Sequence, residues 1–371
     1  MSTATRTTPR PPSELQSVWL VAEREIASKL RSKAFVISTA ILVLAALASV
    51  LWGGFSANSA SDEGIPVAVT SQTASAVQGV DGLRVTEADS ADAATALVAD
   101  GTVDAALLPD GSTSFGFKIV AEESVPSGLM GLLSQSPAVE LLDPAGATDS
   151  ILRYFVALGF GIVFLMAASI FGSTIAASVV EEKATRVVEI LISAIPVRTL
   201  LAGKVVGNTV LAMAQILVLA GVAIVGLSVT DQSAILAGLG APLVWFAVFF
   251  FFGFVLLASL FAAAGAMVSR QEDIGATTSP LTILIMAPYF LVIFFNDNPT
   301  VLSVMSYVPF SAPVGMPLRL YLGTAEWWEP LISLAILIVT CVGAILVGAR
   351  IYQNSLLRMG ARVKLAEALR G

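Results

Sequence analysis

The chain contains no histidine and a single cysteine, Cys341, and only 13% of its 371 residues are charged. Without histidine, no His-based triad, imidazole-bound zinc or His-ligated haem can be assembled from it, and one cysteine cannot form an internal disulfide. An ordinary soluble domain carries about 25% charged residues. A chain that is 56% hydrophobic, with mean hydropathy +0.85, falls outside that class. A G-x-x-x-x-G-K-[ST] phosphate loop is also missing, as are a G-x-S-x-G elbow, an H-E-x-x-H helix and the paired aspartates of an intramembrane protease. Taken by itself the chain is not read as an enzyme. Any ATP-driven work needs a motor on another polypeptide.

Long apolar runs are what the sequence does have. Six are long enough to span a bilayer: 34–52, 151–180, 205–229, 241–268, 278–295 and 331–349. A hydrocarbon core of about 30 Å needs about 20 helical residues, and backbone groups in lipid must be satisfied within the span. The alternating ten-residue segments of a β-barrel are absent, so the fold class is an α-helical integral membrane protein with six transmembrane helices. The first run is read as a retained anchor. It follows 33 residues of chain, longer than a signal peptide's leading region, and no good small-x-small cleavage site comes after Trp52.

Basic residues assign the sides. With the N-terminus inside, intracellular segments hold 16 of the 20 Lys and Arg, and the outside holds Arg84, Lys118, Arg153 and Arg319. The positive-inside rule then makes both termini cytoplasmic and the protein a multi-pass component of the cell membrane, with the lipid bilayer as its first partner. Nothing in the chain calls for nucleic acid.

Residues 1–12, rich in Thr, Arg and Pro, read as a disordered tail. Over 13–33, Ser13 and Gln16 have capping-box spacing, and Leu15, Trp19, Ala22, Ile26 and Leu30 recur on one helical face with Arg24, Ser28 and Arg31 opposite. This predicts a cytosolic amphipathic helix along the membrane surface, with a plain extension of the first span as the alternative. Residues 53–150 carry 14 acidic residues against two basic ones. There, β-branched runs at 65–70, 83–86, 103–108 and 114–120 surround an Ala-rich helical run at 90–100, which predicts a small α/β extracellular domain between helices 1 and 2. Its core candidates are Val67, Val69, Leu83, Leu97, Val103 and Leu107. Its carboxylates lack metal-loop spacing and read as a solvated acidic surface.

Segment 181–204 is the most distinctive cytosolic piece. Charges at its start (Glu181, Glu182, Lys183, Arg186) precede an apolar helical run through Val187, Val188, Ile190 and Leu191, with Glu189 among them. Pro196 ends that helix near Ala194 or Ile195, and Gly203 and Lys204 follow. A short amphipathic helix at the membrane face suits docking into a partner's groove, so these residues are candidates for a docking site, and the resemblance given below implies that the partner they couple to is an ATPase. Asn208 and Gln215, seven residues apart in the third span, are the best polar pair in the bilayer and candidates for a pathway. Hydrogen bonding between helices is the commoner use of such residues. In 296–330, Pro299, Pro309, Pro313 and Pro317 forbid one continuous helix and predict short extracellular helices dipping into the outer leaflet, with Trp327 and Trp328 at the interface. Residues 350–371 form a cytosolic tail.

Two stretches carry a resemblance: Glu181-Glu182-Lys183-Ala184-Thr185-Arg186-Val187-Val188-Glu189-Ile190-Leu191 leading into Leu200-Leu201-Ala202-Gly203-Lys204-Val205-Val206-Gly207, and the later Pro309-Phe310-Ser311-Ala312-Pro313-Val314-Gly315-Met316-Pro317-Leu318-Arg319. In these the sequence resembles ABC-2 permeases, particularly the branch containing the sodium-extrusion permease NatB. The resemblance implies a homo- or heterodimeric permease bound to two cytosolic ABC ATPase subunits, exporting its substrate by alternating access. It places ATP and Mg on the partner, with no cofactor or metal in this chain, and transfers no substrate. A membrane-anchored signalling or scaffold protein is the alternative class. It predicts a cytosolic output domain, for which these short loops leave little room.

Overall fold

The computed structural model describes residues 13–62, 64–77, 80, 82–113, 116–121, 127–133, 150–185, 187–356, 358 and 363–370. The tail at 1–12 lies outside them. Two compact units emerge: one comprises Met1–Ala46, Asp143–Val225 and Ser233–Gly371, the other Leu47–Leu142 and Gly226–Gln232.

Among the described residues six helices are long and apolar enough to cross a membrane. The helical elements are α1 (Glu14–Arg31), α2 (Lys33–Asp62), α3 (Ala91–Ala99), α4 (Ser127–Leu133), α5 (Ser150–Ala184), α6 (Val187–Ala194), α7 (Val197–Val229), α8 (Ser233–Ala266), α9 (Ile274–Phe294), α10 (Pro299–Tyr307), α11 (Ala312–Tyr321), α12 (Glu329–Leu356) and α13 (Leu365–Arg370). The long helices overrun the apolar runs that mark them. α5 carries Glu181–Lys183 in its last turn, and α7 begins at Val197, so Lys204 lies inside a helix rather than in a loop.

The helical unit is built around α5 and α8. Phenylalanines spaced by four on α8 (Phe246, Phe250, Phe254) meet Phe160, Phe164 and Phe171 of α5, with ring centroids 4.9, 5.9 and 5.7 Å apart. Spacing by four keeps them on one face, and the last two pairs meet edge to face, the favoured geometry of aromatic quadrupoles. Further along the crossing the bulk disappears. A Cβ on Gly265 would lie 2.7 Å from the Ala176 carbonyl oxygen, so the two backbones touch directly, as small residues allow between membrane helices.

The second unit contains a four-stranded sheet: β1 (Ile65–Val69), β2 (Leu83–Glu87), β3 (Ala105–Pro109) and β4 (Phe117–Val120), in the order β2-β1-β3-β4. β1 pairs parallel with β2 and β3, and β4 antiparallel with β3. The period-two alternation sorts the side chains. Val67, Val69, Ala105 and Leu107 pack with Val77 and Leu129 on one face, while Ala68, Ala106 and Leu108 meet Ala94 and Val98 of α3 on the other. Ser90 caps α3 by accepting from the Ala93 N–H at 3.1 Å. Of the predicted core, Val67, Val69, Val103 and Leu107 are buried and Leu83 and Leu97 half-buried.

In the Pro-rich stretch, Asn298 caps α10 with its side-chain oxygen 3.1 Å from the N–H groups of Thr300 and Val301, and Pro299 sits at the first helical position. α11 follows. Both are held to α12 by a buried ion pair. Arg319 donates to Glu329 at 2.6 Å, to the Ser306 hydroxyl at 3.0 Å and to the Thr324 carbonyl at 3.0 Å, and the Tyr307 hydroxyl donates to Glu329 at 2.8 Å. Burial, then the neighbouring Glu329 carboxylate, pushes the Tyr307 hydroxyl pKa up.

Candidate functional site

The charged groups of segment 181–204 divide into an interior set and a surface set. The interior set begins with α1. Ser13 and Gln16 close a reciprocal capping box at its start, as their spacing predicts. The helix packs through a different face, which shares only Ala22 and, in part, Ile26 with its apolar stripe. It buries Ser17, Val21, Ala22 and Glu25 and leaves Leu15, Trp19 and Leu30 exposed. The reason lies on α7, where Gly203 and Gly207 are spaced by four and form a smooth groove. A Cβ at Gly203 would lie 2.4 Å from the Val21 Cβ, and one at Gly207 would lie 2.8 Å from the Ala22 carbonyl oxygen. Only glycine lets α1 approach this closely, and the approach carries Glu25 into the interior.

There Glu25 meets Lys204, whose side chain is 0% exposed. The Lys204 ammonium donates to Glu25 at 2.9 Å and to the Ser178 hydroxyl at 2.6 Å, and stands 3.0 Å from Glu182 Oε2. Its three donors face three oxygens from two other helices, which a buried ammonium requires. Arg24 completes the set by pairing with Glu182 and, at 3.2 Å, with Glu25. Arg24, Glu25, Glu182 and Lys204 together are electrically neutral, and they tie α1, α5 and α7 at one point.

Electrostatics follow from this packing. Burial opposes ionisation of Glu25, yet Lys204 and Arg24 outweigh it and hold the carboxyl below its ordinary value of 4.5. Burial likewise opposes the charge of Arg24, and Glu182 and Glu25 overcome it and raise its pKa. Lys29 differs. Burial pushes its ammonium down to about 8, opposed by Glu25 and reinforced by Lys204. It donates to the Thr174 hydroxyl and lies 5.5 Å from the centroid of the Phe171 ring.

A folded-state carboxyl held below its unfolded value contributes stability above the unfolded value and loses it as pH falls through the folded one. The Glu25 contribution should therefore be complete at neutral pH and vanish in acid. Scanning fluorimetry in detergent should find Glu25→Gln melting below wild type at about pH 7, with the gap narrowing below about pH 4.5. A gap constant across that range would mean that the Glu25 charge is not what stabilises the joint.

Lys183 forms a second interior contact. Its ammonium, also fully buried, donates to the main-chain carbonyls of Ala266 at 2.8 Å and Ser355 at 2.9 Å. These carbonyls lie in the last turns of α8 and α12, where helix C-termini carry unpaired acceptors and partial negative charge. One cation thus closes two helix ends.

Glu181, Glu189 and Ile190 form the surface set, Ile190 being 72% exposed and Leu191 half-buried. α6 ends at Ala194, as Pro196 predicts. Arg186 lies outside the described residues. Asn208 and Gln215 are both buried, and Asn208 donates to the Lys204 carbonyl of its own helix at 2.8 Å while its Oδ1 has no hydrogen-bond partner among the described residues. Sequence reasoning missed Arg24, Glu25, Lys29 and Ser178 as members of this cluster. The Gly203-x-x-x-Gly207 spacing was the available signal that a helix lies against α7.

The geometry is that of a joint. The family model described as ABC-2 family transporter protein matches residues 33–350, nearly the whole membrane-spanning part. The chain belongs to the ABC-2 transporter family. This ABC-2 protein is similar to the uncharacterized protein YhaP of Bacillus subtilis, 25% identical over 93% of this chain and 96% of the relative. It is also similar to the uncharacterized protein MJ1024 of Methanocaldococcus jannaschii, 26% identical over 56% of this chain and 51% of the relative. No solved structure matches it. As an ABC-2 chain it is a multi-pass membrane component of a transport system.

Proposed function

We propose that the chain is the permease subunit of an ATP-driven exporter, moving substrate by alternating access while a separate ATPase chain binds ATP and Mg. The family match over residues 33–350 carries this reading, and the six apolar helices suit it. Two ATPase subunits serve a pair of permeases, identical or different, in the cell membrane. The sixteen-to-four partition of basic residues supports cytoplasmic termini and an outward-facing α/β unit. The resemblance of the segments around Glu181–Gly207 and Pro309–Arg319 supports the finer assignment to the NatB-like branch.

In this reading α6 is the docking element. Glu189 and Ile190 offer a charge and an apolar side chain to the ATPase, and the joint behind them makes α1, α5 and α7 a single lever. Glu182 is unsuited to probing docking, because its carboxylate holds the joint together. Glu189→Lys and Ile190→Asp leave the joint untouched. Each should weaken association with the cognate ATPase by about 2–5 kcal/mol if the contact is desolvated, tens to thousands of fold. Asp92→Lys in α3 serves as the control. Co-purification in detergent and substrate-stimulated ATP turnover measure the effect. Full ATPase recovery with unchanged turnover in both variants would sink the docking assignment.

A further inference from the structure

α7, α8 and α12 form a half-open groove of about 1240 Å³ that is apolar along most of its length. Arg198 to Leu217 line it on α7 and Ile338 to Asn354 on α12. At 1.5 Å per residue these are stretches of about 28 and 24 Å, longer than the roughly 15 Å depth of one leaflet. The volume exceeds the roughly 300–1,000 Å³ of a pocket for a drug-sized molecule, and the groove is long enough for an extended chain. The hydroxyls midway along the groove have their protons committed to their own helices. Thr209 donates to the Val205 carbonyl at 2.7 Å and Ser259 to the Val255 carbonyl at 2.8 Å, each within its own helix.

Polarity is confined to one end. Arg198, in the first turn of α7, and Arg350, Gln353 and Asn354, in the last turns of α12, line the groove there. Both arginines are exposed, neither forms an ion pair among the described residues, and no lining residue is acidic. Two uncompensated guanidiniums at the mouth of an apolar groove, in the terminal turns of membrane helices, match a phosphate headgroup joined to an acyl chain.

We infer that this groove binds an anionic phospholipid, with its phosphate on Arg198 and Arg350 and an acyl chain running past Met213 and Ile345. A second copy of the chain is the poorer occupant. A symmetric contact at this level brings the Arg198 and Arg350 ends of two copies together, and like charges repel across such an interface. The site is independent of the transport assignment, because it requires only that the chain sit in a bilayer.

The test uses the full-length protein and native mass spectrometry after exchange into mixed micelles of phosphatidylglycerol and phosphatidylcholine with identical acyl chains. Wild type should retain phosphatidylglycerol about thirtyfold over phosphatidylcholine, roughly fivefold for each basic side chain held at an anionic headgroup. The double variant Arg198→Gln/Arg350→Gln should bring the ratio close to one, and millimolar inorganic phosphate should not displace the lipid. If the double variant is not monodisperse, Ala214→Phe, which narrows the groove from an exposed position, should release the lipid instead. Equal retention of the two lipids by wild type overturns the assignment. So does a preference that survives both substitutions, or release by phosphate alone. Efficient disulfide dimerisation through Val342→Cys, with Cys341 replaced by Ala, would show the groove to be a contact between two copies and would equally overturn it.

Discussion

Lys204→Met should be the most damaging single substitution in the helical unit. It removes the ammonium that Glu25, Glu182 and Ser178 share and leaves two carboxylates without their buried partner. Breaking a buried ion pair from one side costs about 3–5 kcal/mol, because the remaining charge is stranded, whereas replacing the whole set by neutral groups is often tolerated. The single variant should therefore melt well below wild type in detergent and lose most of its monodisperse yield. Adding Glu25→Gln and Glu182→Gln to Lys204→Met leaves only the charge of Arg24, whose side chain is 42% exposed, and should recover part of the loss. If the triple variant proves no better than the single one, the damage comes from altered packing against Gly203 and Gly207 rather than from stranded charge.

Arg319→Met should have a comparable cost, about 3–5 kcal/mol, confined to the other cluster. Glu329 would keep the Tyr307 hydroxyl and the Glu326 N–H at 2.8 Å, but Ser306 and the Thr324 carbonyl would lose their only shared donor group. Because Arg319 joins α11 to α12 through Glu329 and to α10 through Ser306, hydrogen exchange over 299–321 should accelerate while exchange in α5 and α8 stays unchanged. Arg319→Lys should restore only part of the protection, since an ammonium cannot reproduce the planar fork that reaches three partners. Unaltered exchange over 299–321 in Arg319→Met would mean that these helices are held by apolar packing alone.

What the sequence revealed and what it hid differ for physical reasons. Short apolar and β-branched runs exposed β1 and β3, and the Ser13–Gln16 spacing announced the start of α1, because those signals lie within a few residues of the structures they specify. The ends of the membrane helices were obscured. Hydropathy falls wherever a charge appears, so the third span was expected to begin at Val205, whereas α7 extends back to Val197 past a lysine that is fully buried. Its charge is tolerated there because Glu25, 179 positions earlier, arrives in space to meet it. Periodicity singled out the apolar stripe of α1 that includes Leu15, Trp19 and Leu30, read as facing the membrane and exposed in the structure, and gave no sign of the face through which the helix packs. Periodicity registers apolar content, and this helix packs through a salt-bridged face and two glycines. Segment 181–204 stood out as distinctive, but sorting it into the buried Lys183 and Lys204 and the exposed Glu189 and Ile190 required the tertiary fold.

Lys183 has an evolutionary corollary. Its two acceptors are peptide carbonyls, which every residue type carries, so positions 266 and 355 are free to change without loosening the contact. Drift at those positions imposes no matching change at 183. A comparison across relatives would therefore find a lysine retained with no co-varying partner, and methods that reconstruct contacts from correlated substitutions would be blind to this buried tether between three helices.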